Sequence, residues 1–209
     1  MRWLVRAGCV GVLLARAAHA EEEPEAQVPY TPAVRRSGVS IGLAGGLSLN
    51  GASGYPNDVA KIGLTEFEAS TGVGVSEGGA LWVAGALSDW FSIGIGIVGG
   101  SFKGNRLSGS GGTFGVRAEA FPLFYRGGPW QDLGLSFMAG VGGYSITRGH
   151  EKVAEGEATS AVGAGVFYEP IRFWQISMGP QIEYDHQFSR SLSSHFLLIG
   201  WRTVLYGGP

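Results

Sequence analysis

From Gly38 onward, apolar and small residues alternate with a period of two. Val39, Ile41, Leu43, Leu47 and Leu49 are apolar, and Ser40, Gly42, Ala44, Gly46, Ser48 and Asn50 lie between them. That period sustained over about a dozen residues predicts a long strand. The same grammar recurs at Leu81, Val83 and Leu87, then at Phe91, Ile93, Ile95 and Ile97, and then at Phe114, Val116, Ala118 and Ala120. Leu133 to Val141, Val162 to Tyr168 and Trp174 to Tyr184 continue it, and a last segment runs from Phe196 to Tyr206. About eight strands are expected, and no amphipathic helical period competes with them.

The connections alternate in length. A long first one spans roughly 51–72, and a short one follows at Ser88-Asp89. A glycine-rich stretch covers 103–112, and an intermediate stretch covers 122–132. The fifth, 148–157, is strongly charged; the sixth, near Pro170-Ile171-Arg172, is tight; and the seventh covers about 187–194. Long loops at one end and short turns at the other describe an up-and-down barrel, with 122–132 its least regular part.

Alternation alone does not separate a membrane barrel from a soluble one. The second face decides. Here it is mostly Gly, Ala and Ser, whereas a solvated outer face carries many Lys, Glu and Thr. A narrow interior accepts small residues, so the bulky aliphatic face is expected to meet hydrocarbon. Aromatic residues gather at the strand ends. Trp90, Trp130 and Trp174 each follow a short connection, with Tyr125, Tyr168 and Tyr206 at the same level. Tyr144 and Tyr184, with Phe102, Phe114 and Phe196, sit at the other end. Tyr and Trp favour the headgroup layer, so two girdles at the membrane interfaces are expected.

Composition agrees. Glycine supplies 37 of 209 residues, far above the usual ~7%, without a collagen period. Only 15% of residues are charged. No basic stripe is visible, which argues against a nucleic-acid partner.

On this pattern, residues 38–206 resemble the small OmpA/OmpX-type outer-membrane β-barrel domains. The resemblance rests on strand grammar and not on a sharp motif. It implies an all-β, closed, antiparallel up-and-down transmembrane barrel, with the lipid bilayer, its lipopolysaccharide and the outer-membrane insertion machinery as partners. Such barrels usually finish on an aromatic residue. Here Tyr206 is followed by the short tail Gly207-Gly208-Pro209.

The start of the chain fits export. Arg2 and Arg6 precede an apolar stretch from Ala7 to Ala15, and Ala18-His19-Ala20 has the form of a cleavage site. Residues 1–20 therefore read as a signal peptide, too short in its apolar part to span a bilayer as a helix. Arg6 sits where a lipid-attachment signal at Cys9 wants an apolar residue. Losing Arg2, Arg6 and Arg16 moves the net charge from −2 to −5 and leaves no cysteine for disulfides. Residues 21–37 are acidic, then proline-rich, and are expected to be a disordered lead-in.

Parity places Arg117, Glu119, Glu169, Glu183 and Arg202 on the inward face. Lone buried charges cost several kcal/mol, so a salt-bridge network closing the lumen is expected. Arg202 and Tyr206 share a parity but prefer opposite surroundings, which leaves the facing of the last strand open.

Two other functions stay in view. A lipid-modifying enzyme would need a nucleophile, a base and an orienting acid. His186 and His195, with nearby Ser189, Ser191, Ser193 and Ser194 and with Glu183 and Asp185, are the residues at hand, but the spacing matches no lipase pattern. A secreted lipocalin-like carrier would put the aliphatics inside. His150, Glu151, Glu155 and Glu157 fix no metal geometry, and no cofactor fingerprint precedes a helix. The expected role is a structural or surface-interaction one in the cell envelope, without catalysis, cofactor or metal, and with no extracellular partner named by the sequence.

Overall fold

The computed structural model describes residues 36–103 and 107–207, apart from the side chain of Glu157. These residues fall in a single compact unit. The expected signal peptide, most of the lead-in, the end of the tail and part of the third connection lie outside the described residues.

Eight long strands form the wall. They are β1 (Val39–Gly54), β2 (Ala69–Ser88), β3 (Phe91–Lys103), β4 (Ser108–Ala120), β5 (Leu133–Arg148), β6 (Glu151–Tyr168), β8 (Ile176–Phe188) and β9 (Leu192–Tyr206). A short piece, β7 (Ile171–Phe173), pairs with β8 alone. Each long strand pairs antiparallel with its sequence neighbours, and β1 pairs with β9, so the sheet closes on itself.

The register fixes the shape. Following paired residues from Val83 leads through Ile95, Val116, Ala139, Val162, His186, His195 and Gly51 to Val73. That circuit returns to β2 ten residues from its start. Eight strands with this shear tilt by roughly 40° and leave an interior that side chains can fill.

The wall is sorted as the alternation predicts. Ile41, Leu43, Val83, Ile95, Val116, Phe137, Val166 and Ile199 are exposed on the outside, and Ala44, Ala80, Ala84, Ser136, Gln181 and Leu198 are buried inside. A secreted carrier needs the opposite sorting. Val39 and Leu49 bracket the exposed face of β1. Ten residues at ~3.3 Å each, tilted by roughly 40°, give an apolar band about 25 Å tall, the height that outer-membrane barrels present to hydrocarbon.

Several expectations are corrected. The first connection is shorter than expected, because β1 continues to Gly54 and β2 begins at Ala69. The charged fifth connection is not a loop. Strands β5 and β6 stay paired up to Arg148–Glu151, so only Gly149 and His150 turn, with Gly149 at φ 62°. The seventh narrows to 189–191. These segments rise above the apolar band, so their outer face meets water, while Ala52, Ala69, Tyr144, Ile146, Ala154 and Leu192 pack on one another inside. The irregular 122–132 stretch holds two short 3-10 turns, Phe124–Arg126 and Gly128–Asp132. With the β2–β3 and β6–β8 turns it makes up the turn end of the barrel; the long hairpins make up the other end.

Candidate functional site

The lumen is organised around one ring. Trp82, 1% exposed, points inward from β2 and is register-paired with Gly42 on β1 and Gly96 on β3. A side chain at Gly42 would overlap the indole, so the bare backbone there is what lets the ring lie against the wall. The Arg117 guanidinium sits 4.4 Å from the Trp82 centroid and that of Arg202 sits 4.8 Å away. Arg202 also lies 3.6 Å over Phe167, whose own ring occupies the space left by Gly134. Cation–π contacts of this kind gain strength when desolvated.

From these two arginines an ion-pair column runs toward the turn end. Arg117 Nη1 and Nη2 donate to Glu183 Oε1 and Oε2 at 2.6 and 3.1 Å, a bidentate pair, and Arg117 Nε donates to Glu119 Oε1 at 3.0 Å. Arg202 Nη2 donates to Glu119 Oε2 at 2.9 Å, and its Nε lies 3.0 Å from Glu169 Oε1. Tyr206 Oη donates to Glu169 Oε2 at 2.9 Å. Arg36 follows, with Nε 4.0 Å from Glu169 and Nη2 donating to Asp132 Oδ1 at 2.8 Å. Arg172 caps the column on Asp132. Four arginines face four carboxylates, so the column is neutral as a set. All but Arg172 are buried. Charge pairing of this kind offsets the cost of placing ions in a low-dielectric interior, although Nη1 of Arg36 and of Arg202 are buried without a hydrogen-bond partner.

The five residues expected in the lumen, Arg117, Glu119, Glu169, Glu183 and Arg202, all stand in this column. Sequence reading missed Arg36, Asp132 and Arg172. Arg36 corrects the expected lead-in: it is 3% exposed, and its guanidinium stacks 3.5 Å over Phe121. No periodicity marks a single arginine in a polar segment, so no signal was there to find it.

Toward the hairpin end the lumen holds a fifth buried carboxyl, Asp185, among neutral polar side chains. Thr113 Oγ1 donates to Asp185 Oδ1 at 2.9 Å, Gln187 Nε2 donates to Thr113 Oγ1 at 3.0 Å, and Thr159 Oγ1 donates to Gln187 Oε1 at 3.1 Å. Asn50 Nδ2 donates to Ser48 and Ser76 at 3.0 and 2.6 Å.

The aromatic girdles are partly redrawn. Trp90, Trp130, Trp174, Tyr125 and Tyr184 are exposed, and Tyr168 is half-buried. Tyr206 and Tyr144 are corrected. They are 6% and 9% exposed and point into the barrel, as do Phe102 and Phe196. Tyr206 is drawn in by Glu169, and Tyr144 by the space over Gly109 and Gly111.

The triad expected of an enzyme does not assemble. His186 lies on the outer side of β8, whereas Glu183 and Asp185 turn into the lumen. His186 Nδ1 donates to the Ser194 carbonyl at 3.0 Å, and Ser189 and Ser191 hydroxyls bond each other at 3.4 Å. His150 lies at the hairpin tip, beside the Lys152–Glu155 ion pair.

No protein-family model and no curated protein matches the sequence. Solved structures do. Neisserial surface protein A is 6% identical, with a TM-score of 0.56 over 81% of this chain and 97% of that one. Ail, the attachment invasion locus protein of Yersinia pestis, is 11% identical, with a TM-score of 0.46 over 81% and 99%. OprG from Pseudomonas aeruginosa is 13% identical, with a TM-score of 0.42 over 82% and 97%. With its closed eight-strand circuit and outward aliphatic band, the chain has the fold of the small outer-membrane β-barrels.

Proposed function

We propose that this chain is an exported protein of the bacterial outer membrane, cut near Ala20, that serves a structural or surface-interaction role without catalysis and with a lumen sealed to ions. The observation that carries this is the neutral column of four arginines and four carboxylates inside a wall whose outer face carries a band of exposed aliphatic side chains. A conducting pore needs mobile water and unpaired field along its axis. The buried side chains of Arg117, Arg202, Trp82 and Phe167 lie against one another within the lumen, which supports a sealed reading. At the hairpin end the strands rise above the apolar band and present residues 55–68 and the β5–β6 tip to the medium. Loops on a rigid scaffold are where barrels commonly place binding. In this reading the bilayer and its lipopolysaccharide surround the band, and the insertion machinery delivers the chain there.

The test joins fractionation and electrophysiology. The protein should partition with outer membranes, migrate faster unboiled than boiled, and give no steady single-channel conductance in planar bilayers. A periplasmic or secreted product sinks the location, and stable conductance sinks the sealed lumen.

A further inference from the structure

We propose that Asp185, Gln187 and Ser194 hold one ordered water inside the lumen, between the ion-pair column and the apolar packing at the hairpin end. The three side chains form a triangle on the inner faces of β8 and β9. Gln187 and Ser194 are register partners, and Asp185 stands two residues from Gln187 on the same face. All three are buried, Asp185 to 2% exposure. With Val98, Gly100, Gly111 and Phe196 they line a cavity of about 10 Å3.

The polar groups around that cavity are short of partners. Asp185 is the lumen carboxyl outside the column. Its Oδ1 accepts from Thr113 Oγ1 at 2.9 Å, but its Oδ2 is buried without a hydrogen-bond partner, and no Arg or Lys pairs with it among the described residues. Glu183, the next inward residue of β8, already holds Arg117 with both oxygens. The Ser194 carbonyl serves His186 Nδ1, whereas its hydroxyl makes no hydrogen bond among the described residues. Gln187 Nε2 uses one N–H on Thr113 Oγ1 at 3.0 Å, and a primary amide carries a second.

Size and chemistry select the occupant. A single water needs a space of roughly 10–15 Å3 and about two to four polar partners, and an apolar hole of that size stays dry. Here the space suits one molecule and the partners are of mixed sense. Water donates to Asp185 Oδ2 and accepts from the Gln187 amide or the Ser194 hydroxyl. A bare cation satisfies the carboxyl but meets the amide hydrogens head on. The apolar cluster that includes Ala52, Ile146 and Leu192 lies on the hairpin side, so the molecule is held away from bulk solvent. Leaving a buried carboxyl oxygen unbonded is costly, and a bridging water removes that cost at a small loss of its own freedom. The site rests on the lumen geometry and goes beyond the envelope role proposed above.

The experiment is a high-resolution crystal structure of the mature chain folded in detergent, with rubidium chloride as the only alkali salt. One peak without anomalous signal is expected in the cavity, about 2.5–3.0 Å from Asp185 Oδ2 and from Ser194 Oγ. No density in the cavity overturns the proposal, and so does an anomalous peak, which assigns the place to a monovalent cation. A second measurement reads the same site in solution. Long-lived water–amide Overhauser contacts are expected at Gly100 and Gly111, which line the cavity. Exchanging hydroxyl protons imitate such contacts, and two variants separate the cases. Ser194→Ala should keep the contacts, because Asp185 and Gln187 remain, and Asp185→Leu should abolish them. Folding of each variant is checked by heat-modifiable migration. Contacts that vanish in Ser194→Ala and persist in Asp185→Leu belong to the hydroxyl and overturn the proposal.

Discussion

The hydroxyl of Tyr206, the final residue of β9, donates to Glu169 Oε2 at 2.9 Å on the turn side of the lumen. Glu169 is wholly buried and also meets Arg202 at 3.0 Å. The last strand is thereby tied to the far end of β6 through a charge-assisted bond. Removing the hydroxyl in Tyr206→Phe leaves the ring in place and takes one donor from a buried carboxylate. A loss of about 1.5–3 kcal/mol is expected, since bonds to charged groups lie in that range. Equilibrium urea unfolding of the detergent-folded barrel checks it, and an unchanged midpoint would show that the bond contributes nothing.

The Arg117–Glu183 pair carries a larger effect. Both carboxylate oxygens of Glu183 are engaged by Arg117, at 2.6 and 3.1 Å. Glu183→Gln leaves an uncompensated positive charge in the lumen, and breaking one side of a buried pair costs about 3–5 kcal/mol. Replacing both, in Arg117→Met with Glu183→Leu, should recover part of that loss even though Glu119 then keeps only Arg202. A double-mutant unfolding cycle reads the coupling directly. A double variant less stable than the sum of the singles would contradict the argument.

These two cases show what the sequence disclosed. Lumen charges were legible because a period of two assigns a face to every residue in a strand, so Arg117, Glu119 and Glu183 fall on the face opposite Val116, Ala118 and Ile182. Tyr206 was misread because an aromatic at a strand end satisfies either a headgroup or a carboxylate. Its parity with Arg202 held the answer, and only the position of Glu169, just past the end of β6 and two strands away, decides it. Arg36 and Asp132 lie outside any alternating segment, so their burial depends on tertiary pairing across 96 residues, which no local pattern encodes.

Neighbouring glycines on β1 should respond in opposite ways. A Cβ at Gly42 collides with the Trp82 indole, and one at Gly45 meets nothing nearer than the Gly78 carbonyl at 3.9 Å. Gly42→Val must therefore displace the ring that supports Arg117 and Arg202, with an expected cost of about 1–3 kcal/mol, the range for overpacked cores. Gly45→Ala should be neutral or gain about 0.4–1 kcal/mol by restricting the unfolded chain. Trp fluorescence during unfolding distinguishes them, because the Gly42 substitution should also shift the native emission. Equal midpoints for both would contradict this packing.

Depth in the apolar band should set the penalty for an outward charge. Ile95 lies near the middle of the exposed face of β3, and Val73 lies above the band near the start of β2. Ile95→Arg is expected to cost about 2–4 kcal/mol in lipid vesicles and Val73→Arg about 0–1 kcal/mol. The same pair compared by unfolding in vesicles tests which surface meets hydrocarbon. Equal penalties would mean that the aliphatic wall does not.

Trp174 combines an unfavourable backbone with an exposed ring. It has φ 55°, the one non-glycine with positive φ among the described residues, in the turn between β7 and β8, and it is 78% exposed. The left-handed conformation costs about 1–2 kcal/mol for a residue with a Cβ, and glycine would remove that cost. A large indole kept at such a position points to a gain outside the fold itself, at the headgroup layer where Trp is favoured. Trp174→Gly should therefore leave stability in detergent unchanged or raised by up to about 1 kcal/mol, yet slow insertion into preformed lipid vesicles. Heat-modifiable migration followed over time in vesicles measures the second effect, and urea midpoints in detergent measure the first. Loss of stability in detergent with unchanged insertion would assign the ring to packing, and its place at the membrane edge would carry no weight.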